Sequence, residues 1–163
     1  MRSANKIPPQ TTVKTMLCTL LLSALLSVPA YAAGDTLADF TPTLSDSFKQ
    51  LMREASVAEG EEIYMRKCSS CHDHEQDGGH GKGPHLWNII GRKAGSAPGF
   101  DYSDAMKNIG HTWNLATLNY YLTRTDRAVP GRTMEFRGIR RDKVRARLLR
   151  FMMTINDTPP ALP

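Results

Sequence analysis

The pentapeptide Cys68-Ser69-Ser70-Cys71-His72 constrains this chain more than any other stretch. Two thiols three positions apart on a helical turn can each add to one vinyl group of a haem, and the adjacent imidazole then lies under the iron as an axial ligand. The pattern reads as covalent c-type haem attachment. Two other chemistries use paired cysteines. A thioredoxin-like redox pair needs no following histidine and opens a helix inside a βαβ pattern, which is absent here. A zinc site needs a second Cys or His pair at ligand spacing, and outside the motif the only cysteine is Cys18.

Cys18 falls in a segment with the layout of an export signal. Arg2, Lys6 and Lys14 form a basic region, residues 16–28 an apolar run, and Ala30-Tyr31-Ala32 a small-residue cleavage pattern. Cleavage after Ala32 leaves residues 33–163, enough for one domain with one core. The competing reading keeps the segment as an inner-membrane anchor facing the periplasm, because no charge lies between Lys14 and Asp35. The apolar run is nevertheless followed by Pro29 and is shorter than the ~20 residues of a spanning helix. Periplasmic export is the reading adopted, and it delivers the chain to where c-type haem is attached.

Of the 163 residues, 21 are Lys or Arg and 16 Asp or Glu, a net charge of +5. Without the three leader cations the excess shrinks to +2, and its distribution says more than its sum. Residues 33–77 carry 4 basic and 10 acidic side chains, whereas residues 78–163 carry 14 and 6. Such asymmetry suits a basic face for an acidic partner. No nucleic-acid-binding motif accompanies it.

Hydrophobic periodicity places the helices. Residues 34–42 are polar and small, and read as a flexible tether. Phe48, Leu51, Met52 and Ala55 recur at helical spacing, giving a short amphipathic helix over residues 45–55 packed on its own domain. Ser56-Val57-Ala58-Glu59 has the form of a capping box, so a helix starts near Val57 and runs into the cysteines. Asp142 is positioned to cap a helix over residues 143–155, with Val144, Leu148, Phe151, Met152 and Ile155 as its stripe. Gly60 lacks a side chain on the face that carries Tyr64, and the two terminal helices are expected to cross there. Met152 and Met153 are then packing residues. A shorter helix is expected over residues 115–122, capped by Asn114. Glycines and prolines punctuate residues 78–99, which read as a loop wrapped around something. The expected fold is all-α with long loops around a large apolar cofactor.

Several motifs together carry a family resemblance. These are the helix, C-x-x-C-H, Gly83-Pro84, the run from Gly91-Arg92-Lys93-Ala94-Gly95 to Asp101-Tyr102-Ser103-Asp104-Ala105, Trp113, and Pro130-Gly131-Arg132-Thr133-Met134. Residues 56–155 resemble a class I cytochrome c of the mitochondrial or small bacterial monohaem type. The first 55 residues lie outside the likeness. The domain division is accordingly a signal peptide over residues 1–32, an extension over 33–55, a cytochrome c domain over 56–157 and a tail over 158–163.

The resemblance implies one haem c held by Cys68 and Cys71, with His72 and Met134 as the iron ligands. Thioether sulfur opposite imidazole favours reduced iron and raises the potential. Met106, Met65 and Met52 are the alternative sulfur ligands, but none sits in a proline-glycine turn. By family position, the Pro84 carbonyl accepts from the His72 imidazole. Arg92, Tyr102 and Trp113 hold a buried propionate, Tyr121 stands beside the axial Met, and Phe136 covers the exposed haem edge. His80 ties two loops together, while His74, His85 and His111 are surface residues. Lys67, Arg127, Arg137, Arg140 and Arg141 ring the haem edge. Three residues depart from the mitochondrial pattern: Met106 replaces an asparagine, Arg132 a threonine and Asp126 a docking lysine.

The function this implies is periplasmic transfer of single electrons between redox proteins or membrane oxidoreductase complexes, by a monomer that is not itself an enzyme. A second possibility is an electron-transfer subunit or membrane-tethered module of a larger dehydrogenase or oxidase. A peroxidase-type enzyme would need an open sixth iron site, which ligation by Met134 removes.

Overall fold

A computed structural model describes residues 36–163, so the leader, its expected cleavage site, Cys18 and Gly34 lie outside the described residues. These form helices α1 (Asp46–Arg53), α2 (Val57–Lys67), α3 (Asp104–Lys107), α4 (Leu115–Thr123), α5 (Thr125–Ala128) and α6 (Asp142–Met152). No β-strand occurs among the described residues, only an isolated bridge between Lys93 and Thr112.

The extended backbone of Ser56 lets its hydroxyl accept from the Glu59 N–H at 3.3 Å, which starts α2. Only this half of the expected capping box forms. The Glu59 carboxylate instead reaches Arg147 on α6 at 3.1 Å, linking the two helices. They cross at Gly60. A methyl group there would fall on the Arg147 carbonyl oxygen and 2.8 Å from Phe151 Cβ, so the close approach requires glycine. Ile63 and Tyr64 of α2 are buried, as are Leu148, Phe151 and Met152 of α6. Burying a large apolar side chain completely is worth about 1.5–3 kcal/mol.

Helix α6 departs from expectation at both ends. Asp142 is its first residue rather than its cap, because its carboxylate accepts from Arg145 Nη2 at 2.5 Å. The helix stops at Met152, and the hydroxyl of Thr154 turns back to the Phe151 carbonyl at 2.7 Å. Ile155 is still buried, but in the turn beyond the helix. Arg145, 4% exposed, was absent from the sequence reading. It donates to Asn119 Oδ1 on α4 and to the carbonyls of Ile139 and Arg140, and lies over the Phe48 ring of α1 at 5.6 Å. Burial of its charge is tolerated because its nitrogens are so fully engaged.

The tether reading of residues 34–42 is corrected over its described part. Leu37 is fully buried, and its N–H donates to the Ala128 carbonyl at 2.8 Å. Phe40 rests on Tyr120, with ring centroids 5.2 Å apart. Two large apolar side chains in a polar stretch are enough to hold it against the domain. The expected amphipathic helix is α1, which Ser45 caps and which buries Phe48 and Met52 against α6. The tail also touches this layer, Arg53 donating to the Pro163 carbonyl at 2.7 Å.

Between the terminal helices the chain is mostly loop. Residues 78–99 contain no helix, and their backbone is fastened by Gly91 N–H to the Trp113 carbonyl and Ala94 N–H to the His111 carbonyl. His80 joins two loops: its Nδ1 accepts from the His85 N–H, so Nε2 donates to the Pro98 carbonyl. His74 is a correction. It is packed against the rings of Tyr64 and Phe151, at 4.6 and 5.5 Å, rather than lying on the surface. No helix among the described residues is long and apolar enough to cross a membrane.

Candidate functional site

The end of α2 delivers the pentapeptide. Cys68 closes the helix through its N–H to the Tyr64 carbonyl, and the next turn returns the N–H groups of Cys71 and His72 to the Cys68 carbonyl at 3.0 and 2.9 Å. Both thiols and the imidazole therefore face one side. That side is a cavity of about 460 Å³, within the roughly 300–1,000 Å³ of small-molecule sites. Its wall is mostly apolar or aromatic and includes Leu86, Ile89, Phe100, Leu118 and Leu148.

His72 is fixed by three neighbours. Its Nδ1 lies 2.7 Å from the Pro84 carbonyl, an acceptor only, so Nδ1 carries the proton and Nε2 keeps its lone pair for the cavity. Gly83 is buried against the ring, where a methyl group would come within 2.7 Å of Nδ1. Tyr64 donates its hydroxyl to the His72 carbonyl at 2.7 Å. Burial lowers the imidazole pKa and outweighs the opposing hydrogen bond to Pro84. The ring is thus neutral at neutral pH, the form that binds a metal.

The cysteines have the properties of attachment points rather than of a redox pair. Both are free thiols. Burial pushes Cys68 up to about 11, against the weaker pull of Lys67. A thiol-exchange nucleophile needs the opposite shift. Nor do the described residues contain any cluster of three or more His, Cys, Asp or Glu able to hold a bare metal ion.

Met134 lies on the same wall, in the loop after α5, and Tyr121 Oη donates to its sulfur at 3.8 Å. Burial holds the Tyr121 hydroxyl well above the usual phenol range, so it stays a donor. Among the alternative sulfurs, Met65 is 52% exposed and Met52 is buried within α1, both away from the wall. Met106 and Met152 do reach it, but from helices α3 and α6, where they pack as core.

Pro84, Tyr102, Trp113, Tyr121 and Phe136 all line the cavity, Trp113 stacking at a tilt on Tyr121 with centroids 5.2 Å apart. Arg92 does not. Its guanidinium donates to the carbonyls of His85, at 2.7 Å, and Trp87, fastening the loop from behind Tyr102. It also engages the Tyr102 side chain, so it supports that wall residue from outside the cavity. The cations on the wall are instead Lys67, Lys82 and Arg132. Lys82 went unremarked in the sequence, although its place just before Gly83-Pro84 was a signal.

These residues fit an iron porphyrin. A flat apolar body suits the wall, paired thiols stand at one side, a lone-pair nitrogen and a thioether offer iron ligands, and cations are available for carboxylates.

Comparison with known proteins agrees. The cytochrome c family model matches residues 57–153. Cytochrome c of Chlamydomonas reinhardtii is 41% identical over 96 residues, 59% of this chain and 86% of the relative. Cytochrome c2 of Rhodomicrobium vannielii is 38% identical over 128 residues, 78% and 85% of the two chains. A cytochrome c homolog of Bradyrhizobium diazoefficiens is 33% identical over 120 residues, 73% of this chain and 65% of that one.

Proposed function

The chain belongs to the cytochrome c family, and on that premise we propose that it carries single electrons between redox proteins in the periplasm, with His72 and Met134 as its iron ligands. Membership brings one covalently attached haem c and the role of an electron-carrying monohaem cytochrome. The bound haem supplies the redox chemistry, its iron gaining and losing one electron.

The residues do the rest. Cys68 and Cys71 hold the group by thioether links, so it is not lost between partners. His72 offers Nε2 because Pro84 holds Nδ1. Met134 offers sulfur from a loop that Tyr121 steadies. Because His72 and Met134 both offer donors to a bound haem, these side chains would need little rearrangement when an electron moves. Aromatic side chains exclude water from the wall. Ligation by Met134 would also speak against peroxidase chemistry, which needs an open iron position.

The periplasmic assignment is supported by the leader pattern and by the likeness to a bacterial cytochrome c2. Docking by charge is supported by the exposure of Lys67, Arg127, Arg137, Arg140 and Arg141. An acidic partner would be drawn to them over a screening length of ~8 Å at physiological ionic strength. Asp126 is neutralised by Arg124 at 2.8 Å and leaves that surface basic.

The observation that carries this reading is the placing of His72 and Met134 on the wall of one cavity, each held by its own hydrogen bond. Replacement of Met134 by Ala tests it. The expected result is loss of the sulfur-to-ferric-iron absorption, a lower potential, and rapid cyanide binding. Retention of the absorption would assign the sulfur ligand elsewhere.

A further inference from the structure

The loop that carries Met134 is closed at a single buried residue. Thr125, the first residue of α5, is fully buried. Its N–H donates to the Arg137 carbonyl at 3.3 Å, and its carbonyl accepts from the Val129 N–H at 3.0 Å. Residues 129–137 therefore leave and return at the same residue. Between these ends, Thr125 Oγ1 accepts from Arg132 Nε at 2.9 Å and gives its one hydrogen to the Phe136 carbonyl. Arg132 N–H is in turn bonded to the Val129 carbonyl at 3.2 Å. The hydroxyl thus fastens the loop both before Met134, through Arg132, and after it, through Phe136.

The structure assigns Thr125 and Arg132 as positioning residues that hold the Met134 sulfur in place and set how often it leaves the iron. The inference rests on the ligand reading above. Its physical basis is that a loop opens at a frequency set by the bonds it must break. Around Met134 these are few. Tyr121 offers the sulfur a long hydrogen bond, and Met134 and Arg132 are themselves only half-buried. The Thr125 hydroxyl makes two of the remaining bonds, one of them to a charged donor. Removing it leaves the Phe136 carbonyl and Arg132 Nε unpaired together, at a cost greater than that of one neutral bond.

The test uses the haem-loaded protein and its ferric spectrum. Thr125→Val keeps the shape of the side chain and removes both bonds. The sulfur-to-iron absorption should persist but weaken, and cyanide should bind roughly tenfold faster or more, as the loss of two hydrogen bonds implies. Thr125→Ser, which restores the hydroxyl, should return both readings to near wild type. Arg132→Met should shift them in the same direction, and the double variant should fall short of the product of the single effects because one network is being broken. Wild-type cyanide rates in Thr125→Val and Arg132→Met would overturn the inference. If Thr125→Val does not fold, Arg132→Met decides alone, since that side chain is half-exposed. Met134→Ala separates the two ideas. Absorption surviving in that variant sinks the ligand assignment and this inference with it, whereas its loss alongside unaffected Thr125 and Arg132 variants sinks the inference alone.

Discussion

Gly83 shows how tightly one residue can control another's chemistry. The imidazole of His72 lies against it, its Nδ1 held by the Pro84 carbonyl at 2.7 Å. An alanine at position 83 would place Cβ 2.7 Å from Nδ1, so either the ring or the backbone of residues 83–84 must move. Overpacking of this kind costs ~1–3 kcal/mol, and here it also strains the bond that orients the ring. Gly83→Ala should therefore lower the denaturation midpoint of the haem-loaded protein, whereas Gly79→Ala, with nothing within 4 Å of the new methyl, should not. Equal midpoints would mean that the loop yields freely and does not fix the ring. The sequence made this neighbourhood legible only in part. C-x-x-C-H and Gly-Pro are local patterns whose spacing carries their chemistry. The bonds that complete the site are long-range, as from His72 to Pro84 or Tyr121 to Met134, and no periodicity encodes them. Arg92 is a mixed case: family position pairs it with Tyr102, which it does engage, while its bonds to the His85 and Trp87 carbonyls follow from the fold of the loop.

At the scale of elements, the long amphipathic helices were readable because their buried faces repeat. Helix α2 has Gly60, Ile63 and Tyr64 on its buried face, and α6 has Leu148, Phe151 and Met152. The four-residue helices α3 and α5 span barely one turn and leave no period to detect. The segment before α1 misled for a different reason: polar composition suggested a tether, but Leu37 is fully buried and Phe40 rests on Tyr120. The consequence concerns the extension as a whole. Met52 on α1 is fully buried, and Met52→Ala should cost ~2–5 kcal/mol by leaving a cavity. A merely appended helix would change stability by no more than ~0.5 kcal/mol. Chemical denaturation of the haem-loaded variant distinguishes these outcomes. The small one would show that α1 rides on the domain without stabilising it.

Among the described residues, α2, α4, α6 and the long loops meet on one cavity. Residues 78–99 have no regular structure and reach that wall with Lys82, Gly83, Pro84, Leu86 and Ile89. A cofactor that fills the cavity is thus a core element as well as a redox centre, which is why so much of a small domain can be loop. It also sets what was legible in the sequence: the attachment motif and the helical stripes are local patterns, while the course of the loops depends on a group that the sequence does not spell out. The central claim is that this centre is a haem iron held by His72 on one face and by Met134 on the other in both oxidation states. Iron X-ray absorption of the oxidised and reduced protein measures it most directly. The account predicts a single sulfur neighbour, with nitrogen otherwise, at nearly unchanged distances in the two states. An iron with nitrogen neighbours only, or one that loses its sulfur on oxidation, would contradict it.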